Sequence, residues 1–308
     1  MTHPAAAETA GQATAHRRRA GRLPRWLLAT LALAAGLPGE ARAQDEVPFI
    51  TTPDRVTLAM LQLAGVTAND FVVDLGSGDG RIVITAARRF GARGLGVELD
   101  PELVSRSRAN ARAAGVADRA EFRVQDLFET DLSAAQVITL YLLPEVNLQL
   151  RPRLLALAPG TRIVSHDWDM GDWLADRQLT LEVPEKAIGR EKRSTVHLWL
   201  VPAAVQGLWC TAGASLAISQ RFQAFSATLS ATSSTRLSKS LANPGAAAPL
   251  LVFDGRVVAD QLHAVSASQA APQLLRQLGD SLLWLRSSGP TQRFEGRRFE
   301  RAGPQGCR

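Results

Sequence analysis

The stretch from Phe71 to Glu98 constrains the fold more than any other part of the chain. Phe71-Val-Val-Asp74-Leu75 is an apolar run that stops at Gly76-Ser77-Gly78-Asp79-Gly80-Arg81; an apolar helical pattern and then Gly94-Leu-Gly-Val-Glu98 follow. A strand that ends in a glycine-rich turn and reopens as a helix is the first half of a nucleotide-binding βαβ unit. Gly76 and Gly78 permit backbone angles closed to other residues, so a ligand can lie directly against the main chain. Glu98 is expected to end the second strand on the same sheet edge, where its carboxylate can accept hydrogen bonds from both hydroxyls of a ribose.

The composition of the turn narrows the ligand. A dinucleotide fingerprint needs G-x-G-x-x-G, and Arg81 stands where the third glycine belongs; a P-loop needs Gly-Lys-Ser/Thr, which is missing. Asp74, Asp79 and Glu98 surround the site with no lysine among them, which suits a cationic ligand better than a pyrophosphate. S-adenosylmethionine (SAM) carries a sulfonium and an ammonium and no phosphate. The Asp74-Leu-Gly-Ser-Gly-Asp-Gly-Arg81 stretch, with Glu98 after it, resembles motif I and the following acidic motif of the class I SAM-dependent methyltransferases. That resemblance implies an α/β fold, a Rossmann-like seven-stranded sheet. It also implies a cofactor set of Asp74, Gly76, Ser77, Gly78, Asp79, Gly80, Glu98 and Leu99.

The remaining elements are expected to complete that sheet. Thr52-Pro53-Asp54 offers an N-cap, a first-turn proline and an early acid for an entry helix. Strand 3 is expected over Ala120–Val124, and by the resemblance Asp126 accepts from the adenine amino group with Leu127 against the ring. Strand 4 is expected over Val137–Tyr141. Parallel sheets bind ligands at the carboxyl ends of their strands, so Tyr141, the only tyrosine in the chain, should face the transferable methyl. Strand 5 leads into His166-Asp167-Trp168-Asp169. Adjacent residues of an extended segment point to opposite faces, so His166 and Asp167 are not expected to aim at one atom. The alternating runs Leu179–Val183 and Ser194–Val201 suit a closing antiparallel pair.

Methyl transfer from a sulfonium is an in-line displacement, so positioning carries most of the burden. No metal is required, and no clustered His/Cys spacing offers a site for one. An amine acceptor must be neutral to attack, which for a lysine of pKa about 10.4 costs about 4.6 kcal/mol at neutral pH. A desolvating aromatic entrance lowers that cost. Tyr141, Trp168 and Trp173, with Asp167 beside them, are the candidates for it. From Pro48 to about Trp173 the chain resembles the lysine methyltransferases that modify ATP synthase c-subunits and adenine nucleotide translocases, and their bacterial relatives. The matching residues are Pro48-Phe49, Asp74 to Val83, Gly96-Val-Glu98 and Asp126-Leu127. The resemblance implies an acceptor protein; a small-molecule acceptor, or a non-catalytic ligand-binding role, are the alternatives.

Residues 1–43 differ from the rest. Arginines around His16 to Arg25, an apolar run from Trp26 to Leu37 and Ala41-Arg42-Ala43 form a three-part pattern read as a cleavable secretory signal. The apolar run is too short to span a bilayer. This segment holds six arginines and two glutamates, so it supplies most of the net charge of +6, and the remainder gives no argument for nucleic acid. Cleavage implies a periplasmic or secreted protein; an over-extended start would make it cytoplasmic. The catalytic domain is then expected over 44–203. Residues 204–308 read as a small antiparallel β-domain, a sandwich or partial barrel, with a hairpin turn at Asp254-Gly255. Cys210 and Cys307, the only cysteines, flank that domain and are expected to bridge in an oxidising compartment.

Overall fold

The structure is a computed structural model and describes residues 50–186, 191–232, 249–265, 272–287 and 289–307. The expected signal at 1–43 and the Pro48-Phe49 pair lie outside the described residues. An entry helix α1 (Asp54–Leu63) precedes an alternation of strand and helix: β1 (Phe71–Leu75), α2 (Arg81–Phe90), β2 (Arg93–Glu98), α3 (Pro101–Ala113), β3 (Ala120–Val124), β4 (Val137–Leu140), α4 (Pro144–Leu155) and β5 (Arg162–His166). β6 (Arg177–Glu182) and β7 (Arg193–Leu200) follow.

These seven strands form one sheet in the order β3-β2-β1-β4-β5-β7-β6. β1 pairs in parallel with β2 and β4, whereas β7 runs antiparallel to both β5 and β6. The central strands are buried on both faces: β1 is apolar except for Asp74, and all four residues of β4 are buried. Such runs are what a parallel sheet covered by helices demands. Val72, Val137 and Val164 pack towards α1 and α2 on one face; Leu75, Ile138 and Leu140 pack towards α4 on the other. Asp100 caps α3 through its side chain, which accepts from the Glu102 N–H at 2.8 Å. At α1 the expected cap shifts by one residue. Pro53 occupies the N-cap position without a side-chain hydrogen bond, and Thr52 is buried instead beside His166.

The C-terminal part is a closed barrel of eight strands, each paired with the next: β8 (Gly207–Thr211), β9 (Ala214–Arg221), β10 (Ala224–Ala231), β11 (Leu251–Val258), β12 (Gln261–Val265), β13 (Gln273–Leu278), β14 (Ser281–Arg286) and β15 (Arg298–Arg301). β15 closes onto β8 through Glu300↔Cys210 and Arg301↔Trp209. Of the two shapes expected, the barrel is the one formed, and it is complete. Its interior is filled by Trp209, Leu216, Phe225, Phe253, Leu262, Trp284 and Phe299, all at most 4% exposed, as an eight-stranded barrel allows. Ala203 and Val205 already belong to this core.

Two expectations about this part are corrected or met. Asp254-Gly255 is not a turn: it lies inside β11, and the chain turns at Ala259-Asp260. Gly255 is there for space, since a Cβ would stand 2.2 Å from the His263 carbonyl on β12. Cys210 and Cys307 are joined in a disulfide with Cα atoms 5.4 Å apart.

Candidate active site

The glycine turn sits between β1 and α2 at the carboxyl edge of the sheet. Gly76, Gly78 and Gly80 have φ of 75°, 53° and 83°, the left-handed region that favours glycine. Two of them also lack room for a side chain. A Cβ on Gly76 would meet Leu142 at 2.9 Å, and one on Gly80 would meet the Phe122 ring at 2.7 Å. The turn is anchored from behind: Gly76 and Ser77 donate their N–H groups to the Val97 carbonyl. Buried Ser107 donates to the Gly78 carbonyl at 2.8 Å.

The acids do not act alike. Asp74 is buried and accepts from Thr139 Oγ1 at 2.6 Å. Burial pushes its carboxyl up to about 7, and the nearby Glu98 and Asp79 charges push the same way. Burial would also raise Asp79, yet its pKa is net lowered by Arg81. Arg81 donates Nε and Nη2 to it at 2.9 and 2.6 Å. The pocket is therefore not ringed by three uncompensated acids, because Arg81 neutralises Asp79. Its Nη1 also holds the Thr52 carbonyl at 2.8 Å, tying the entry segment to the turn. Glu98 ends β2 as expected, and its Oε2 accepts the Gly78 N–H at 3.1 Å while Oε1 accepts from Leu99 at 2.8 Å. Leu99 is exposed beside it. Asp126 caps the short turn Leu127–Glu129, accepting from Phe128 at 2.7 Å; Leu127 is partly buried against the core.

A second cluster forms where β4 and β5 end. Tyr141 follows β4, and its ring lies 4.0 Å from that of His166. His166 is fully buried, with Nε2 2.9 Å from Ser194 Oγ and Nδ1 3.5 Å from Thr52 Oγ1. Burial depresses its pKa to about 4, against an opposing pull from Asp167, so the ring is neutral at neutral pH. Burial raises the Tyr141 pKa, with the Asp167 charge adding to it; the hydroxyl stays protonated. The opposite-face expectation for His166 and Asp167 fails. Asp167 has φ of 62°, outside extended geometry, and its Oδ2 comes to 3.4 Å from His166 Nε2. The same oxygen pairs with Lys186 Nζ at 2.8 Å, while Oδ1 accepts from the Thr195 N–H.

Of the two tryptophans, Trp168 is 43% exposed at this edge. Trp173 is fully buried in the core behind α4, against Trp199 and Phe222, so it lines no entrance. Leu99, Val124, Phe128, Leu143 and Trp168 are exposed, and all five lie at the carboxyl ends of their strands. A cavity of about 450 Å³ lined by Arg93, Arg108, Arg112, Arg119 and Arg123 lies at the opposite, amino end of the strands. It is remote from this chemistry. The contributions of Ser194 and Lys186 escape sequence reading, since each is made by pairing across the fold; Arg81 pairs with Asp79 only two residues away, and what escapes there is its hold on the Thr52 carbonyl.

The strand order, the reversed β7 and the glycine turn with its acid at the end of β2 define a class I methyltransferase domain. The profile of a family described as "ANTKMT methyltransferase domain" matches residues 74–177. A protein-lysine N-methyltransferase of Saccharolobus islandicus is 44% identical over 129 residues, 41% of this chain and 80% of that one. The chain belongs to this methyltransferase family. An ATP synthase c-subunit lysine N-methyltransferase of Xenopus laevis is 35% identical over 42% of this chain, which spans 56% of that relative. A Salinibacter ruber protein solved with S-adenosyl-L-homocysteine and described as an RNA methyltransferase is 53% identical. It covers 51% of this chain and 96% of its own, with a TM-score of 0.46.

Proposed function

We propose that the chain is a SAM-dependent methyltransferase whose acceptor is a protein lysine. The observation that carries the cofactor is the open, cation-compatible turn. Gly76 is exposed, Ser77 Oγ is buried without a partner among the described residues, and the Glu98 carboxylate stands over Gly78. Bound SAM supplies a methyl group already activated on a sulfonium. The chain holds it with Gly76–Gly80 along the main chain, Glu98 on the ribose, Asp126 and Leu127 at the adenine, and Asp74 beneath as a buried acid. The lysine reading rests on the relatives and on the second cluster. Tyr141 and exposed Trp168 give a partly desolvated entrance, which lowers the cost of a neutral amine. Asp167 is paired with Lys186 at the same edge, so its charge is compensated and does not hold the amine in its protonated form.

Export is part of the same proposal. The Cys210–Cys307 bridge supports an oxidising compartment, and the leader pattern points the same way. No helix among the described residues is long and apolar enough to cross a membrane. The test is transfer from methyl-labelled SAM into a lysate of the source organism, followed by protease and ribonuclease digestion. Label that is lost to protease and recovered as methyl-lysine supports the reading. Label on RNA or on small molecules overturns the acceptor.

A further inference from the structure

Among the described residues large side chains pack the barrel interior; the outer contacts of the barrel say more. The β9–β10 turn consists of Phe222 and Gln223, and Phe222 has φ of 53°. An aromatic residue in the left-handed region persists only where its surroundings fix it. Its ring stacks on Trp173 with centroids 6.2 Å apart and planes 20° apart. The guanidinium groups of Arg151 and Arg221 lie over it at 5.5 and 5.9 Å. Both arginines pair with Asp172, Arg221 at 2.7 Å, and Gln223 Nε2 donates to the Leu174 carbonyl at 2.6 Å. One turn of the barrel thus grips three consecutive residues, Asp172 to Leu174.

Those residues end the segment that starts at His166, Asp167 and Trp168. Within it, Met170 and Trp173 form an isolated bridge. From the other side α4 holds it: Arg151 donates to the Met170 carbonyl at 2.8 Å, and buried Asn147 reaches the carbonyls of Trp168 and Asp169 at 3.4 Å. We infer that the barrel is a buttress for the acceptor-side segment, with Phe222 as the positioning residue that clamps Trp173 and thereby sets Asp167 and Trp168 at the mouth of the site. The inference rests on the proposed function for what that mouth receives, but the clamp itself does not.

The test is hydrogen exchange on the full chain, with SAM affinity measured on the same samples. For Phe222→Ala, exchange across 166–174 is expected to rise about tenfold, while exchange at the glycine turn and SAM affinity stay within about twofold of the parent. Label transfer into lysate protein should fall about fivefold. Phe222→Tyr, which keeps the ring, should restore all of these. Asp172→Asn removes the charged half of the grip at an exposed position, and should loosen the same segment severalfold even if Phe222→Ala does not fold. Unchanged exchange over 166–174 in both variants overturns the inference. So does loosening that extends equally to residues 76–98. If the parent binds no SAM while Phe222→Ala still loosens 166–174, the functional reading fails and the clamp stands.

Discussion

At the residue scale, Asp74 and His166 carry opposite pH dependences. The folded pKa of Asp74, about 7, lies above its ordinary value of 3.8. Its stabilising contribution is therefore full below about 3.8 and is lost as the pH rises through 7. The folded pKa of His166, about 4, lies below 6.5; its contribution is full above 6.5 and is lost as the pH falls through 4. The two offset each other in the window between. Chemical denaturation across that window should show stability rising more steeply with pH in Asp74→Asn than in the parent, and falling with pH in His166→Gln. Parallel shifts with unchanged slopes would contradict both assignments. Glu98 has a different role: Glu98→Ala removes an acceptor of charge-assisted hydrogen bonds, each contributing about 1.5–3 kcal/mol. SAM affinity should fall by about tenfold or more in calorimetry, and thermal stability should fall as well, since the Gly78 and Leu99 N–H groups lose their acceptor. Tyr141→Phe and Trp168→Ala should keep SAM affinity and lower label transfer about tenfold; unchanged transfer would remove the aromatic entrance.

At the scale of elements, the sheet was legible because its central strands β1 and β4 are apolar runs, its edge strand β6 alternates in sequence, and the turn chemistry is local. Gly76 to Gly80 and the acid that ends β2 lie within 23 residues of one another, so one stretch of sequence specified the heart of the site. The barrel was legible as β-structure but not as a closed ring, since closure depends on β15 meeting β8 across some 90 residues. Asp254-Gly255 misled for a physical reason: the pair favours a turn, but the close approach of β12 needs a glycine in mid-strand. Trp173 likewise looked like an entrance residue until its contacts across the fold showed otherwise. Closure is also where the barrel has the fewest paired residues among the described strands. The β15–β8 seam has two register pairs, against eight between β9 and β10, and the Cys210–Cys307 bridge lies beside it. With a sequence separation of 97 between the cysteines, chain-entropy arguments give the bridge up to about 4–5 kcal/mol. Cys307→Ser should lower barrel stability by up to that amount in denaturant, with exchange rising first in β15 and β8. Uniform loosening of all eight strands would argue against a weak seam.

At the scale of the whole molecule, a methyltransferase sheet and a filled barrel share one boundary, built from Asp172, Trp173, Asp176, Phe222 and Arg256. Arg256 adds a second charged tie, donating to Asp176 at 2.6 Å. Along the carboxyl edge of the sheet, the glycine turn and Glu98 lie together, Tyr141, His166 and Asp167 form a second cluster, and the barrel packs against the segment that follows that cluster; the proposed function assigns the first group to the cofactor and the second to the acceptor. Function depends on the first group accepting a cationic methyl donor, and titration calorimetry of the folded full chain tests this most directly. SAM should give a saturable one-to-one heat that Glu98→Ala weakens, and NAD and ATP should give none. No heat with SAM, together with uptake of NAD or ATP, would contradict it.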